Sequence, residues 1–449
     1  MHLRLVKGAY WDYEIKHAQV FGYEDYPVYS KKSLTDISFL LCAKEILKNE
    51  KIYAKFATHN AHTISSVHQL GQGKDYEFQR LYGMGELLYQ SAEKVLNLEK
   101  KPSVYAPIGS YKDLLPYLVR RLLENGANSS FINRLLDPET DANWLAENPA
   151  IRIEKEKIDI PLPKNIFTER KNSSGFDLSE NSNLENLEKS ISAHKKNKIN
   201  AESIYVNRDE KEKVGQKVYS IANNEEIGTA IFDDPTNVKS ALENFASEKW
   251  SKYSVQERSQ ILIKISDDIE KDPSELIFYL LNEAGKTIQN AIDEIREAID
   301  FLRYYSRQII EIHGKKSLQG PTGEINNISY SPKGNYLCIS PWNFPVAILI
   351  GQISAALACG NNVVVKPSEN TSILGYLIVK KFHENGVPIE TLQLILGDGM
   401  YGDVLTKVNT IHGVAFTGSL PTAKKIQTNL IQQHHKEIVP LIAETGGIN

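Results

Sequence analysis

The sequence predicts an α/β protein in two parts: half of a (βα)8 barrel, then a polar linker, then a domain built on a parallel sheet. Three observations predict this. Over 1–142, four apolar strand-like runs alternate with amphipathic helical stretches. Over 143–207, aromatic residues thin out and Ser, Asn, Lys and Glu take over. Over 335–370, a strand, a Pro-Trp-Asn-Phe-Pro turn, an apolar helix and a second strand follow in βαβ order.

Length and composition bound the answer. A chain of 449 residues has room for two or more domains. Its 41% hydrophobic and 24% charged content is that of a soluble globular protein. A net charge of −4 and a pI near 6.3 leave no electrostatic footprint for nucleic acid. Three cysteines, Cys42, Cys338 and Cys359, make no disulfide framework and no metal-site spacing, which places the protein in a reducing cytoplasm. The longest apolar run, 346–358, has about 13 residues where about 20 span a bilayer. The opening Met1-His2-Leu3-Arg4 is not followed by the apolar core of a signal peptide.

In the first part, strands are predicted at 3–6, 52–57, 76–81 and 104–107, and helices at 34–48, 63–70, 86–98 and 112–125. Polar or unusual residues cluster just past each strand: Lys7-Gly8-Ala9-Tyr10-Trp11, Thr58-His59-Asn60, Gly83-Met84-Gly85 and Gly109-Ser110. Functional residues at strand C-terminal ends are the mark of a βα barrel, which needs eight units. Four units leave an apolar edge, an aggregation liability. The chain is thus expected to be a piece of something larger, or to pair with a partner that supplies the other half.

On the helix at 112–125, Leu114, Leu115, Leu118, Leu122 and Leu123 form an apolar face. Tyr117, Arg120, Arg121 and Glu124 fall on the other stripe at i, i+3, i+4 and i+7. Spacing by itself favours a plain solvated face there. It likewise favours an ordinary core or surface histidine at His59, and leaves Trp11 evenly divided between packing and a ligand wall.

These motifs, with Arg4-Leu5-Val6, Phe56-Ala57 and the run from Tyr117 to Asn128, resemble the flavin-dependent proline dehydrogenase module of the bifunctional proline utilization A family. The resemblance implies that Arg120 and Arg121 clamp a substrate carboxylate, as paired guanidinium groups do well. It implies that Glu124 orients one of them and that Tyr105 and Tyr117 wall the proline ring. For FAD it points to Arg4, Lys7, Ala9, Trp11, Thr35, Thr58, His59, Asn60, Gln79 and Phe131. Tyr82 and Lys31 stand where many relatives carry His and Arg.

The stretch 143–207 reads as a linker, with one short helix at 184–193. Beyond it, Leu262, Ile265 and Ile269, then Ile292, Ile295, Ile299 and Leu302, form core-facing helical stripes. At 335–370, Pro345 occupies a first helical position, where its missing N–H costs nothing. The helix that follows is apolar but broken by Gln352. A carboxamide, Asn343, at one strand end and a Lys366/Glu369 pair at the next suit an oxyanion donor beside a ribose-binding edge. The bland alternatives are a turn-forming Asn and a mere strand terminus.

With Phe416-Thr417-Gly418-Ser419 and Glu444-Thr445-Gly446-Gly447, these residues resemble the aldehyde dehydrogenase superfamily in order and spacing. So does 282–287. The resemblance implies an aldehyde-dehydrogenase-type Rossmann-like NAD-binding domain over 208–449. Asn343 would donate to a thiohemiacetal oxyanion, and Glu444 would be the general base of deacylation. NAD would meet Trp342, Lys366, Ser368, Glu369, Gly399, Gly402, Phe416, Gly418 and Ser419. The run Gly397-Asp398-Gly399-Met400-Tyr401-Gly402 matches G-x-G-x-x-G after an apolar strand, but no acid stands about 20 residues on, so it is weak as a dinucleotide fingerprint. Within the resemblance it is a turn near the adenine, and Glu369 disfavours a 2′-phosphate, which selects NAD over NADP.

The family's nucleophilic cysteine is expected some thirty residues beyond Glu-Thr-Gly-Gly. Cys338 and Cys359 read as small core residues and Cys42 lies mid-helix, so none substitutes. The chain is therefore expected to stop before the catalytic domain and to begin halfway through the barrel. The parent activity so implied is oxidation of L-proline, then of glutamate semialdehyde, with little second-step turnover by this chain. The parent enzyme would bear a peripheral membrane or quinone contact, act on small molecules and not nucleic acid, hold no metal, and form a homo-oligomer or pair with a partner supplying the missing halves. The competing reading is an inactive or split-gene subunit that acts as an NAD- or partner-binding module.

Overall fold

The computed structural model describes residues 1–449 except 9, 127–146, 157–159, 209–212, 244, 246, 314–315, 435–436 and 447–449, together with the side chains of 120, 122–126 and 316. Ala9, Phe131 and the side chains of Arg120 and Glu124 therefore lie outside the described residues. The chain divides into two compact units, Met1–Val20 with Asp25–Leu162, and Phe21–Glu24 with Pro163–Asn449.

The first unit is built of βα repeats. Strands β1 (His2–Val6), β2 (Tyr53–Ala57), β3 (Tyr76–Leu81) and β4 (Ser103–Tyr105) form one parallel sheet in that order. Helices α1 (Trp11–Phe21), α2 (Lys32–Lys48), α3 (Ala61–Leu70), α4 (Glu86–Leu96) and α5 (Tyr111–Gly126) fall between and after them. Side chains alternate across a strand. Ala54, Phe56 and Phe78 thus bury against Phe39, Ala43, Leu47, Ile64, Val67 and Tyr89 of the helices. The opposite face is polar: Lys55 pairs with Glu77 at 3.1 Å, and Glu77 accepts from Gln79 and Ser103. Each fully buried Phe or Ile contributes about 1.5–3 kcal/mol, so this one-sided core gives the unit its cohesion. Gly83 and Gly85 carry φ of +77° and +71°, the left-handed turn into α4 that side chains resist.

Strand and helix positions agree with the sequence reading to within about two residues, the usual scatter of element ends. Two differences stand out. Helix α1 has no counterpart in that reading, because only Ile15 and Ala18 of its eleven residues are buried. On α5, Leu115 and Leu118 of the expected apolar face are 45% and 50% exposed.

The described residues of 143–207 form folded elements where a linker was expected. Helix α6 (Pro149–Lys155) packs on α2, and the Glu156 carboxylate accepts from the Ser33 N–H at the start of α2. Helix α7 (Asn181–Ser192) buries Leu187 and Ile191 in the second unit's core. Strand β5 (Ile199–Glu202) pairs with β7 (Glu226–Asp233), which also pairs with β6 (Lys213–Tyr219). The short helix expected at 184–193 is α7; polar composition hid α6 and β5, which dock through few apolar side chains.

The second unit is three-layered. Its central sheet is parallel, in the order β12 (Leu392–Leu394), β11 (Asn362–Lys366), β10 (Asn335–Ile339), β13 (Ile411–Gly418), β14 (Leu441–Thr445). One face buries Cys338, Val363 and Val365 against α9 (Val255–Lys271), α10 (Ser274–Asn282), α11 (Ile288–Ile312), α12 (Ala347–Ala358) and α13 (Ser372–Glu384). The other buries Leu337, Ile339, Val364 and Phe416 against α8 (Pro235–Glu243), α14 (Gly399–Leu405) and α15 (Leu420–Gln433). The stripes Leu262/Ile265/Ile269 and Ile292/Ile295/Ile299/Leu302 are all buried as expected. A small hairpin, β8 (Lys316–Leu318) with β9 (Asn326–Ile328), stands apart from the sheet. Among the described residues, no helix is long and apolar enough to cross a membrane, and no group of side chains could hold a metal.

Candidate functional site

In the second unit the chain builds β10, β11 and β12 to one side, then β13 and β14 to the other. The strand order thus reverses between β10 and β13, and the C-terminal ends of those strands open the crevice where parallel sheets bind ligands. Ile339 lies in register with Lys366 on one side and Phe416 on the other, and Thr417 lies opposite Glu444. That register brings together the Trp342–Asn343 turn, the 366–369 turn, Gly418–Ser419 and Glu444.

Each turn has its own support. Asn343 is exposed, and Trp342 and Phe344 beside it are 58% and 41% exposed. The helix after them starts at Ala347, two residues later than Pro345 led one to expect. Its first N–H groups, of Val346 and Ala347, donate to the fully buried Glu294 carboxylate at 2.8 and 3.3 Å. Glu294 also pairs with Lys286 at 2.7 Å, and the Lys286 ammonium sits 3.7 Å from the centre of the Phe344 ring. Lys366 is almost wholly buried; burial lowers its pKa, and Glu369, 3.5 Å away, opposes that shift. The helix α13 that follows this turn is held by Glu283, whose oxygens accept from Ile373 and Leu374 N–H at 2.8 and 2.9 Å. Burial pushes the Glu283 carboxyl up to about 8.

Ser368 caps the short turn at Glu369–Thr371, and Ser419 caps α15 by accepting from the Thr422 N–H. An N-capped helix start with free N–H groups favours an anion. At Gly399 and Gly402 an added Cβ would meet nothing within 4 Å, so the backbone there is open to close approach. Phe416, by contrast, is not brought to the crevice: its ring is 4% exposed in the core and lies 2.6 Å from a Cβ built on Gly418. Cys338 is fully buried, with its thiol pushed up to about 12 by burial, which suits a core residue and not a nucleophile. Cys359 is not core; it is exposed at the end of α12, and Cys42 is exposed on α2.

In the first unit, the residues past the strand ends largely hold one another. Lys7 donates to Asp36 at 2.5 Å and to Thr63 at 2.9 Å. Buried Thr58 accepts from the Asn60 N–H, and Asn60 caps α3 by accepting from Thr63. His59 Nε2 accepts from the Leu81 N–H, which leaves its proton on Nδ1; burial, and then Arg80, lower its pKa. Gly85 lies against the same imidazole. Trp11, 40% exposed, donates to Tyr29 O, and Gln79 donates to Glu77. Thr35 is half-buried on α2. Arg4 lies 5.4 Å from the Tyr105 ring centre and Arg121 5.3 Å from that of Tyr117. Each pair sets a guanidinium beside an aromatic ring, a combination suited to a carboxylate with an apolar body.

Sequence reasoning missed Asp36, Glu283, Lys286, Glu294 and Thr417. Lys286 and Glu283 sit in the matched 282–287 motif and Thr417 in the matched 416–419 motif, the signals available for them.

Residues 205–449 match the aldehyde dehydrogenase family and residues 1–134 match proline dehydrogenase. The bifunctional protein PutA of Salmonella typhimurium is 40% identical over the whole of this chain, which spans 35% of that relative's length. The 1-pyrroline-5-carboxylate dehydrogenase of Bacillus subtilis is 33% identical over 64% of this chain and 55% of its own. A solved structure of proline utilization A with proline bound in remote sites superimposes on all of this chain and 43% of its own, with a TM-score of 0.88 at 39% identity. These matches place this chain in the proline utilization A family, its second segment in the aldehyde dehydrogenase family.

Proposed function

We propose that the protein carrying this chain oxidises L-proline to glutamate in two steps, the first at the polar face of the first unit and the second at the switch-point crevice of the second. What carries the reading is the presence, on one chain, of two arginine–tyrosine pairs and a crevice lined by Asn343, Lys366, Glu369 and Glu444. In the first step Arg121, with Arg120, holds the proline carboxylate, and Tyr105 and Tyr117 flank the ring. FAD would supply the hydride acceptor for proline, whose oxidation gives pyrroline-5-carboxylate; water opens that ring to glutamate semialdehyde. Arg4, Lys7 and the Thr58–Asn60 turn are the residues that would hold the flavin. The excess of cations around Asp36 supports an anionic ligand there.

In the second step Asn343 donates to the oxygen of the aldehyde as it gains negative charge. NAD would supply the hydride acceptor once a cysteine thiol, which the family resemblance sets beyond the Glu-Thr-Gly-Gly motif, has added to the aldehyde carbon; the thioester so left is what water cleaves. Lys366 and Glu369 would hold ribose hydroxyls, Ser419 and the start of α15 the pyrophosphate, and open Gly399 and Gly402 admit the nucleotide. The Glu369 carboxylate repels a 2′-phosphate, which favours NAD over NADP. Glu444 takes the proton of the water that releases glutamate. Three unpaired cysteines support a cytoplasmic setting.

The test is flavin absorbance of the purified protein, dye reduction with proline, and NADH formation with the semialdehyde. Flavin retention with proline-dependent dye reduction is expected. A protein that holds neither flavin nor NAD would overturn the reading in favour of a partner-binding subunit.

A further inference from the structure

We infer that Gln352 is a positioning residue for Glu444, acting through Thr417; this rests on the reading of Glu444 as the base. Helix α12 buries nine of its twelve residues; Gln352, in its middle, is half-buried, and the part of its carboxamide that leaves water needs hydrogen bonds. Gln352 spends its donors on two different strands. Its Nε2 donates to the Ile339 carbonyl at 3.3 Å and to Thr417 Oγ1 at 3.2 Å. A carbonyl only accepts, so the Ile339 oxygen fixes which end of the amide is nitrogen.

Direction then propagates. Thr417 Oγ1 accepts from the amide, so its own proton is free, and it donates that proton to Glu444 Oε2 at 3.4 Å. Thr417 and Glu444 lie directly opposite each other on β13 and β14. One amide thus ties β10, the strand leading into the Asn343 turn, to the strand pair that carries the base. Glu444 is exposed and would otherwise turn freely; the hydroxyl pins one carboxylate oxygen and leaves the other for water. In the step so served, that oxygen takes a proton from water, the water oxygen bonds to the acyl carbon of a thioester, the C–S bond breaks, and the thiolate leaves. The amide keeps this arrangement although its buried Oε1 has no hydrogen-bond donor among the described residues. An apolar side chain would avoid that cost, so packing does not explain the residue.

The test compares Gln352→Leu, Thr417→Val and Thr417→Ser in the protein that carries this chain. Pre-steady-state NADH formation with the semialdehyde should keep its first burst in all three. Steady-state turnover should fall about tenfold or more in Gln352→Leu and Thr417→Val, the worth of one hydrogen bond to a charged group, while Thr417→Ser recovers it. Burst and turnover falling together, or Thr417→Val turning over like wild type, overturns the inference. A wild-type protein that forms no NADH defeats the reading of the site instead. The side-chain 15N signals of Gln352 then decide: Thr417→Val and Glu444→Ala should each move them, and unmoved signals overturn the relay.

Discussion

The Arg4 guanidinium lies 5.4 Å from the centre of the Tyr105 ring, although β1 and β4 are the two edges of a four-stranded sheet. At about 4.8 Å per strand the edge backbones of a flat sheet stand about 14 Å apart. Both side chains therefore lean across the same face, the one that also carries Lys55, Glu77 and Gln79. An exposed cation over a ring contributes little to cohesion.

Arg4→Met tests that placement. The exposed cation–π contact is worth only about 0.5–1 kcal/mol, so the melting temperature should hardly move. Flavin retention should fall about tenfold or more, because a charged hydrogen bond to the ligand is worth about 1.5–3 kcal/mol. Absorbance titration of flavin into the apoprotein measures it. A large drop in stability with unchanged flavin affinity would assign Arg4 to the fold.

Among the described residues of the first unit, Lys7 and Asp36 form the most buried ion pair, with side chains 20% and 4% exposed. Burial raises the Asp36 carboxyl, but Lys7 and then Lys32 outweigh it and hold it below its ordinary 3.8. For Lys7 burial wins, and its pKa is lowered against the pull of Asp36. Asp36→Asn leaves a buried cation unpaired and should cost about 3–5 kcal/mol in denaturant unfolding, most of it recovered by adding Lys7→Met. With a depressed folded pKa, the Asp36 contribution is present above pH 3.8 and is lost as pH falls through the folded value.

Much of this was legible in the sequence where apolar period and turn chemistry agree. The strands of the first unit, the 335–370 βαβ unit and the stripe Ile292–Leu302 all announce themselves. What was not legible is long-range polar anchoring. Glu294 and Glu283 look like surface acids on helices, yet they meet backbone N–H groups 52 and 90 residues away. Nothing local marks an acid that a distant helix start will bury. Helix α6 and strand β5 escaped for the converse reason: α6 buries only Pro149 and Arg152, and β5 only Ala201, too few to show a period. Phe416 stood in a matched motif beside glycine, and only the strand's alternation shows that its ring points into the core.

Glu369 gives the nucleotide site its most direct test. It is half-exposed and pairs with Lys366 at 3.5 Å, so the carboxylate is available to a ribose. Glu369→Gln should weaken NAD binding about tenfold and narrow the preference for NAD over NADP, as read by isothermal titration. Equal loss for both nucleotides would place the residue away from the 2′ position.

Glu283 makes the second unit's stability depend on pH in an unusual direction. Its carboxyl is fully buried; desolvation raises it to about 8 from 4.5, against the pull of the Ile373 and Leu374 N–H groups. Between those values the native state keeps a proton that the unfolded chain gives up. Stability therefore falls as pH rises from 4.5 to about 8, and levels off above. The slope is at most about 1.4 kcal/mol per pH unit. Glu283→Gln cannot titrate, so its melting temperature should lack that decline. At pH 5 it should lie below wild type by about 1–3 kcal/mol, since an amide gives α13 one acceptor where the carboxyl gave two. Because α13 begins just after the 366–369 turn, NAD affinity should track the same titration in wild type and not in the variant. Melting curves that run parallel from pH 5 to 8 would mean that Glu283 is already ionised at pH 5 and holds the helix as a plain carboxylate.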